Sequence, residues 1–155
     1  MATREQNAFQ RLKLRVARSR DRFDRIENGM EAGTPDVNYN IVEWDKGHEG
    51  WIEIKAPKLP ARPTSRLIGG DHPLSADQAN WFLRQHRSGG RGWLFVATEV
   101  QLLLLPGGTV GRIGIALNEW TLDELLGDAV WRTDVPVKLT SAWQKLRDVL
   151  TGEAL

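Results

Sequence analysis

The spacing of apolar residues predicts that the chain begins with a helix and continues into strands. Residues 4–19 place Phe9, Leu12 and Val16 on one face, because helical positions three, four and seven apart lie side by side. Three segments rich in alternating, β-branched or aromatic residues follow, at residues 21–28, 36–44 and 51–57. Each is typical of a strand, and the turn "DKGHEG" between the last two predicts a β-hairpin.

The second half of the chain predicts one helix, two strands and two further helices. Residues 74–90 form the helix, with Ser75 as its N-cap, and the strands follow at 91–100 and 101–108. The last two helices are predicted at 121–131 and 139–150, with Thr121 and Thr140 as candidate caps. The intervening "GGTVGRIG" lacks the Lys-Ser/Thr of a phosphate-binding loop and is predicted to be a turn between strands. This order predicts an α/β fold with a mixed central sheet flanked by helices.

Length and composition are typical of one globular domain. The chain has 155 residues, 41% of them hydrophobic and 26% charged. It has no cysteine, which excludes disulfides, zinc-thiolate sites and thiol nucleophiles. His48, His72 and His86 do not have the spacing of metal ligands, so the sequence does not predict a histidine metal site.

No apolar run predicts a membrane span, and the N-terminus lacks the apolar core of a signal peptide, so we expect a cytoplasmic protein with no membrane partner.

Basic side chains are concentrated toward the N-terminus. Residues 1–91 carry 16 basic and 12 acidic side chains, whereas residues 92–155 carry 5 and 8. One basic group follows a face of the first helix and contains Arg11 and Arg15, continued by Arg18 and Arg22. Another lies in the proline-rich loop 58–73, predicted to be mobile, and contains Lys58, Arg62 and Arg66. Each group is either a solvated face or a set of contacts to a nucleic-acid backbone.

The predicted hairpin brings chemically interesting side chains to one edge of the sheet. Asp36 begins the first strand and Glu53 and Lys55 end the second, so antiparallel pairing places the three close together. On its own, Glu53-x-Lys55 is more typical of an ordinary ion pair on a solvated strand face. Two converging carboxylates form a hard-oxygen site suited to Mg²⁺, and the carbonyl of Ile54 is a further candidate ligand. Lys55 is then placed to orient or deprotonate a water.

The run "GTPD", hairpin, "WIEIK", "LSADQ" and "GGRGW" resembles the PD-(D/E)XK nuclease superfamily. It is most similar to the VRR-NUC and phage Holliday-junction resolvase-like branches, and the similarity covers about residues 3–105. The resemblance implies a restriction-endonuclease-like fold and DNA cleavage with Mg²⁺ or Mn²⁺. It implies Asp36 and Glu53 as metal ligands, Lys55 as the water-activating residue and Gln78 as a helix residue facing the site.

Members of this superfamily often add an acid from the first helix, for which Glu5 is the candidate, with Glu27 and Glu31 as rivals. The last fifty residues, 106–155, match no part of the pattern. They are expected to be an extension of the core of the single domain 1–155, helical over about 119–155, or a dimer surface.

The expected function is a metal-dependent endonuclease of phage or prophage type that cuts branched or structured DNA. A homodimer is expected, because two strands have to be cut. Two alternatives stay open at this point. One is a nuclease for linear duplex or single-stranded DNA, and the other is a DNA-binding module with the same fold and no catalysis.

Overall fold

The structure is a computed structural model that describes residues 1–26, 32–70 and 72–152. Its strands are β1 Arg22–Arg25, β2 Val37–Glu43, β3 Lys46–Lys55, β4 Gly92–Ala97, β5 Gln101–Pro106 and β6 Trp131–Asp134. Its α-helices are α1 Arg4–Val16, α2 Ala76–Arg87, α3 Gly107–Ile113, α4 Leu122–Asp128 and α5 Ser141–Thr151. A 3₁₀ helix, Gly114–Glu119, lies between α3 and α4.

The six strands form one mixed sheet in the order of the chain, from β1 to β6. All neighbouring strands are antiparallel except β3 and β4, which run parallel. A parallel pair needs a crossover, and the segment from β3 through α2 to β4 supplies it. The predicted α/β fold with a mixed central sheet flanked by helices is confirmed.

Helices cover both faces of the sheet. Apolar residues of α1 and α5 pack on one face, and those of α2, α3 and α4 pack on the other. The run Leu102–Leu105 on β5 shows why both faces need cover, because its side chains alternate between the two cores and all four are fully buried. Burying each such leucine contributes about 2 kcal/mol. The strand predicted at 101–108 is confirmed over Gln101–Pro106.

The C-terminal segment is part of the main core. Residues 119–155 were expected to be helical, but Trp131–Asp134 adds a sixth strand beside β5. The hydroxyl of Tyr39 on β2 donates to the carbonyl of Leu150 at 2.8 Å and anchors α5 to the sheet. Arg147 is 2% exposed and binds both Asp21 and Glu43. Isolated four-residue strands such as β6 give little periodic signal, so the sequence pattern missed it.

Two turn predictions are wrong. The segment "GGTVGRIG" is not a turn between strands but forms α3 and the start of the 3₁₀ helix. Its glycines allow close packing, since a Cβ on Gly111 would lie 2.6 Å from the backbone nitrogen of Leu83. The hairpin turn is shorter than "DKGHEG", because Glu43 already pairs with Lys46. Trp44 and Asp45 make this two-residue turn with positive φ angles of 52° and 59°, a geometry usually given to Asn or Gly.

Apolar residues of the basic loop after β3 pack in the hydrophobic core. Leu67, Ile68 and Leu74 are at most 2% exposed and belong to the core under α2. The amide of Leu67 also donates to the carbonyl of Trp120 at 3.0 Å. The loop therefore presents its charges from a segment whose apolar residues are packed in the core, and the mobility expected of it stays a prediction. Within the three described ranges, none of the helices combines the length and apolar character needed to cross a membrane.

Candidate active site

The hairpin register brings Asp36 and Glu53 together. Val37 on β2 pairs with Ile52 on β3, so the preceding Asp36 lies at the level of the following Glu53. The backbone amide of Ile54 donates to Asp36 Oδ2 at 3.3 Å. This contact holds the Asp36 carboxylate against β3. The juxtaposition that the hairpin predicts is therefore present in the structure.

Glu53 is a buried carboxylate, and one of its two oxygens has no hydrogen-bond partner among the described residues. It is 3% exposed, and its Oε2 accepts a hydrogen bond of 3.0 Å from Gln78 Nε2. Its Oε1 is also buried, and no atom of the described residues makes a hydrogen bond to it. An unpaired buried carboxylate oxygen is costly, so this is the point in the cluster where a proton or a cation is most needed.

The surroundings of Glu53 raise its pKa to about 8. Burial is the largest cause, because it disfavours the charged form, and the negative charge of Asp36 adds to it. The positive charge of Lys55 acts in the opposite direction. A proton on Glu53 would also let Glu53 form a hydrogen bond with Asp36. Two ionised carboxylates cannot form this bond, because neither has a proton to donate. Glu53 therefore holds a proton readily when no cation is bound.

Lys55 is buried beside the two acids. It is 6% exposed, and its Nζ lies 3.6 Å from Glu53 Oε2. The same nitrogen donates to the carbonyl of Pro73 and to Gln78 Oε1, each at 3.3 Å. These contacts fix the ammonium group on the α2 side of the sheet. An ion pair on a solvated strand face, the alternative left open by the sequence, does not fit this burial.

Gln78 links the helix cap to the site. It occupies the third position of α2, where its Oε1 accepts from the amide of Ser75 at 2.9 Å. Its own amide donates to Ser75 Oγ at 3.1 Å, which completes a capping box. The side chain thus caps α2 and bridges Lys55 to Glu53 at once. Its orientation toward the site agrees with the position that the family resemblance gives to Gln78.

The other candidate ligands are placed less closely. Ile54, whose carbonyl was a candidate ligand, is 2% exposed and pairs with Phe95 of β4. Glu5 is at the start of α1, and its Oε1 lies 3.8 Å from His72 Nε2. Glu27 and Glu31 lie outside the described residues. Over the described part of the chain, no three His, Cys, Asp or Glu side chains gather as a possible metal site, so the identity of a third acid stays a prediction.

The candidate DNA-binding residues lie on two surfaces. Lys58, Arg62 and Arg66 are exposed on the loop after β3, and Arg66 forms an ion pair with Glu119 at 3.3 Å. Arg11 and Arg15 are exposed on α1, on the opposite side of the sheet. Lys58 lies three residues after the end of β3, and Arg11 lines a cavity together with Ala56 and Pro57, which directly follow β3. The carbonyl of Pro73 is a contact of Lys55 that no sequence pattern indicated.

The chemistry of the cluster suits a small hard cation. Mg²⁺ is usually held by one or two carboxylates, together with water and substrate phosphate. Asp36 and Glu53 supply two carboxylates, and Glu53 Oε1, which has no hydrogen-bond partner among the described residues, needs a positive partner. A scan against protein-family models found no match to this chain, and a search of curated proteins found none either. The case for a function therefore rests on these side chains themselves.

Proposed function

We propose that this protein is a metal-dependent DNA endonuclease of the PD-(D/E)XK type that its sequence resembles. One observation carries the proposal: the buried Glu53 carboxylate has an oxygen without a hydrogen-bond partner among the described residues and faces a second acid, Asp36. A purely structural core would gain no stability from two carboxylates that face each other. A site that binds a cation for phosphate chemistry would need them both.

The donor set supports Mg²⁺ or Mn²⁺ as the cofactor. Asp36 and Glu53 would hold the ion through their carboxylates, and the carbonyl of Ile54 is the candidate third protein ligand. Two carboxylates leave room for waters and for an oxygen of the scissile phosphate. When bound, the ion supplies Lewis-acid chemistry, which lowers the pKa of water and stabilises charge that develops on the phosphate.

The protein side chains would position and activate the nucleophile. Lys55 Nζ is held by Pro73 and Gln78. As the ammonium it would orient the attacking water, and only as the neutral amine would it accept a proton from that water. Gln78 keeps Lys55 and Glu53 in a fixed relation, because it bonds to both and is itself fixed by the cap of α2. Hydrolysis by water would leave a 5′-phosphate on the product.

DNA is the favoured substrate because basic side chains lie on both sides of the acids. Lys58, Arg62 and Arg66 on one surface, and Arg11 and Arg15 on the other, would bind backbone phosphates. The preference for branched DNA rests on the resolvase-like resemblance alone. The homodimer is proposed because one small domain would have to place a cut on each of two strands. A nuclease for linear or single-stranded DNA, and a non-catalytic binding module, are the competing possibilities.

The proposal is tested with purified protein and labelled DNA. A four-way junction, a linear duplex and a single strand of matched sequence are incubated with Mg²⁺, with Mn²⁺ and with EDTA, using wild type and Lys55→Ala. We expect cutting that needs the metal and is lost in Lys55→Ala, and the relative rates on the three substrates report whether branching or a single-stranded segment matters. Binding of DNA without cutting of any substrate would favour the non-catalytic module and overturn the proposal.

A further inference from the structure

A cavity of about 360 Å³ opens beside the C-terminal end of β3, on the face of the sheet that carries α1. Its floor is largely apolar and includes Phe95 and Ala97 of β4. Its rim carries Arg4, Asn7 and Arg11 from α1. A volume of this size lies at the small end of the roughly 300–1,000 Å³ typical of small-molecule sites.

The cavity and the acid cluster lie around one end of the same strand. Ala56 and Pro57 line the cavity, and they follow Lys55 directly in the chain. Because successive side chains of a strand point to opposite faces, Ala56 opens toward the cavity while Lys55 faces Glu53. Contacts also cross between the two sides. Glu5 on α1 lies 3.8 Å from His72, and the neighbouring Pro73 accepts the hydrogen bond from Lys55.

The lining of the cavity suits a flat, partly polar ring between two phosphates. Its apolar floor offers contact for the faces of such a ring, and the Asn7 amide and the Glu99 carboxylate offer hydrogen bonds to its edge. Arg11 lines this cavity and also an adjoining one of about 440 Å³, together with Arg15. Positive charge therefore continues along α1 from the first cavity to the second, as a strand of nucleic acid with regularly spaced phosphates requires.

We infer that the cavity receives one unstacked nucleobase of the DNA strand that enters the Asp36–Glu53 site. This inference rests on the proposed nuclease function and narrows its substrate, because a base inside a continuous duplex cannot enter a cavity in the protein without leaving its stack. The substrate class is DNA with a single-stranded segment next to the cut. The arginines on α1 hold the phosphates on either side of that base.

The experiment measures binding in EDTA, where no cleavage occurs. The probes are a short labelled single-stranded DNA and an abasic strand of the same length, which has the same phosphates and no bases. Wild type should bind the normal strand about tenfold more tightly, the effect of one buried base. Ala97→Leu, which fills the floor of the cavity, should bring the two affinities close together. Ala116→Leu, on the exposed surface of the 3₁₀ helix, should leave the ratio unchanged.

A second variant separates the phosphates from the base. Arg11→Ala should weaken binding of both strands by a similar factor and keep their ratio, whereas Arg112→Ala, an exposed arginine on α3, should change neither. Equal affinity of wild type for the two strands would overturn the inference even if Ala97→Leu does not fold.

This result is independent of the nuclease assay. Metal-dependent cutting with equal affinity for both strands would leave the nuclease and remove the base cavity. A tenfold ratio of the two affinities that Ala97→Leu abolishes, together with no cutting of any DNA, would support the base cavity and contradict the nuclease.

Discussion

Replacing Glu53 by glutamine should stabilise the metal-free protein at alkaline pH. The glutamine keeps the size of the side chain and its contact with Gln78, but it carries no charge at any pH. In wild type, burial and the charge of Asp36 raise the pKa of Glu53 from 4.5 to about 8. The folded protein therefore binds this proton more tightly than the unfolded chain does. Its free energy of unfolding then falls as the pH rises through the interval between the two values.

The expected size of this effect follows from the two pKa values. Each unit of difference corresponds to about 1.4 kcal/mol, and most of the interval from 4.5 to about 8 is crossed between pH 5 and pH 8. Ionising Glu53 should thus cost wild type roughly 3 kcal/mol over that range. Groups that do not contact Glu53 titrate alike in both proteins, so the difference between Glu53→Gln and wild type should be small at pH 5 and roughly 3 kcal/mol at pH 8.

The assay is urea unfolding at several pH values in EDTA, followed by tryptophan fluorescence. Glu49→Gln, which removes an exposed acid from the same strand, serves as the control and should show no such trend. Added Mg²⁺ at pH 8 should restore stability to wild type and not to Glu53→Gln, because only wild type offers both carboxylates. A constant difference between Glu53→Gln and wild type from pH 5 to pH 8 would refute the account of Glu53 as a strained buried acid.

Three further substitutions test separate parts of the account. Gln78→Ala should lower the cleavage rate about 10- to 100-fold, since Gln78 orients Lys55 and Glu53, and full activity in a single-turnover assay would contradict that role. Ser75→Ala, which removes only the cap bond to Gln78, should cost about 1 kcal/mol in thermal unfolding; an unchanged melting temperature would count against the capping box. Arg147→Met should cost roughly 3–5 kcal/mol in urea unfolding, because the Asp21 carboxylate keeps its backbone hydrogen bonds but loses its counter-charge. The exposed Arg18→Met should cost less than about 1 kcal/mol, and equal losses would contradict the importance of burial.

The geometry of the acid cluster was predictable because it depends on local rules. A hairpin with alternating residues fixes which positions face each other, and this is enough to bring Asp36 next to Glu53. The cap at Ser75 sets where α2 starts, and that start turns Gln78 toward the sheet. Both rules act within a few residues, so a single sequence contains them.

The elements that the sequence did not reveal depend on tertiary contacts. The glycines of α3 disfavour an isolated helix, and the helix forms because Gly111 packs closely against Leu83. Strand β6 has only four residues and is defined by the β5 edge that it joins. The burial of Lys55 is another such case, since its partners Pro73 and Gln78 arrive from a loop and a helix far along the chain.

Calorimetric titration of metal-free wild type with Mn²⁺ tests the central claim most directly, because it does not depend on knowing the right DNA. The account predicts one saturable site for each chain in wild type, loss of that binding in Glu53→Gln and unchanged binding in Glu49→Gln. Absence of saturable binding in wild type, or equal binding by Glu53→Gln, would show that Asp36 and Glu53 are not a cation site.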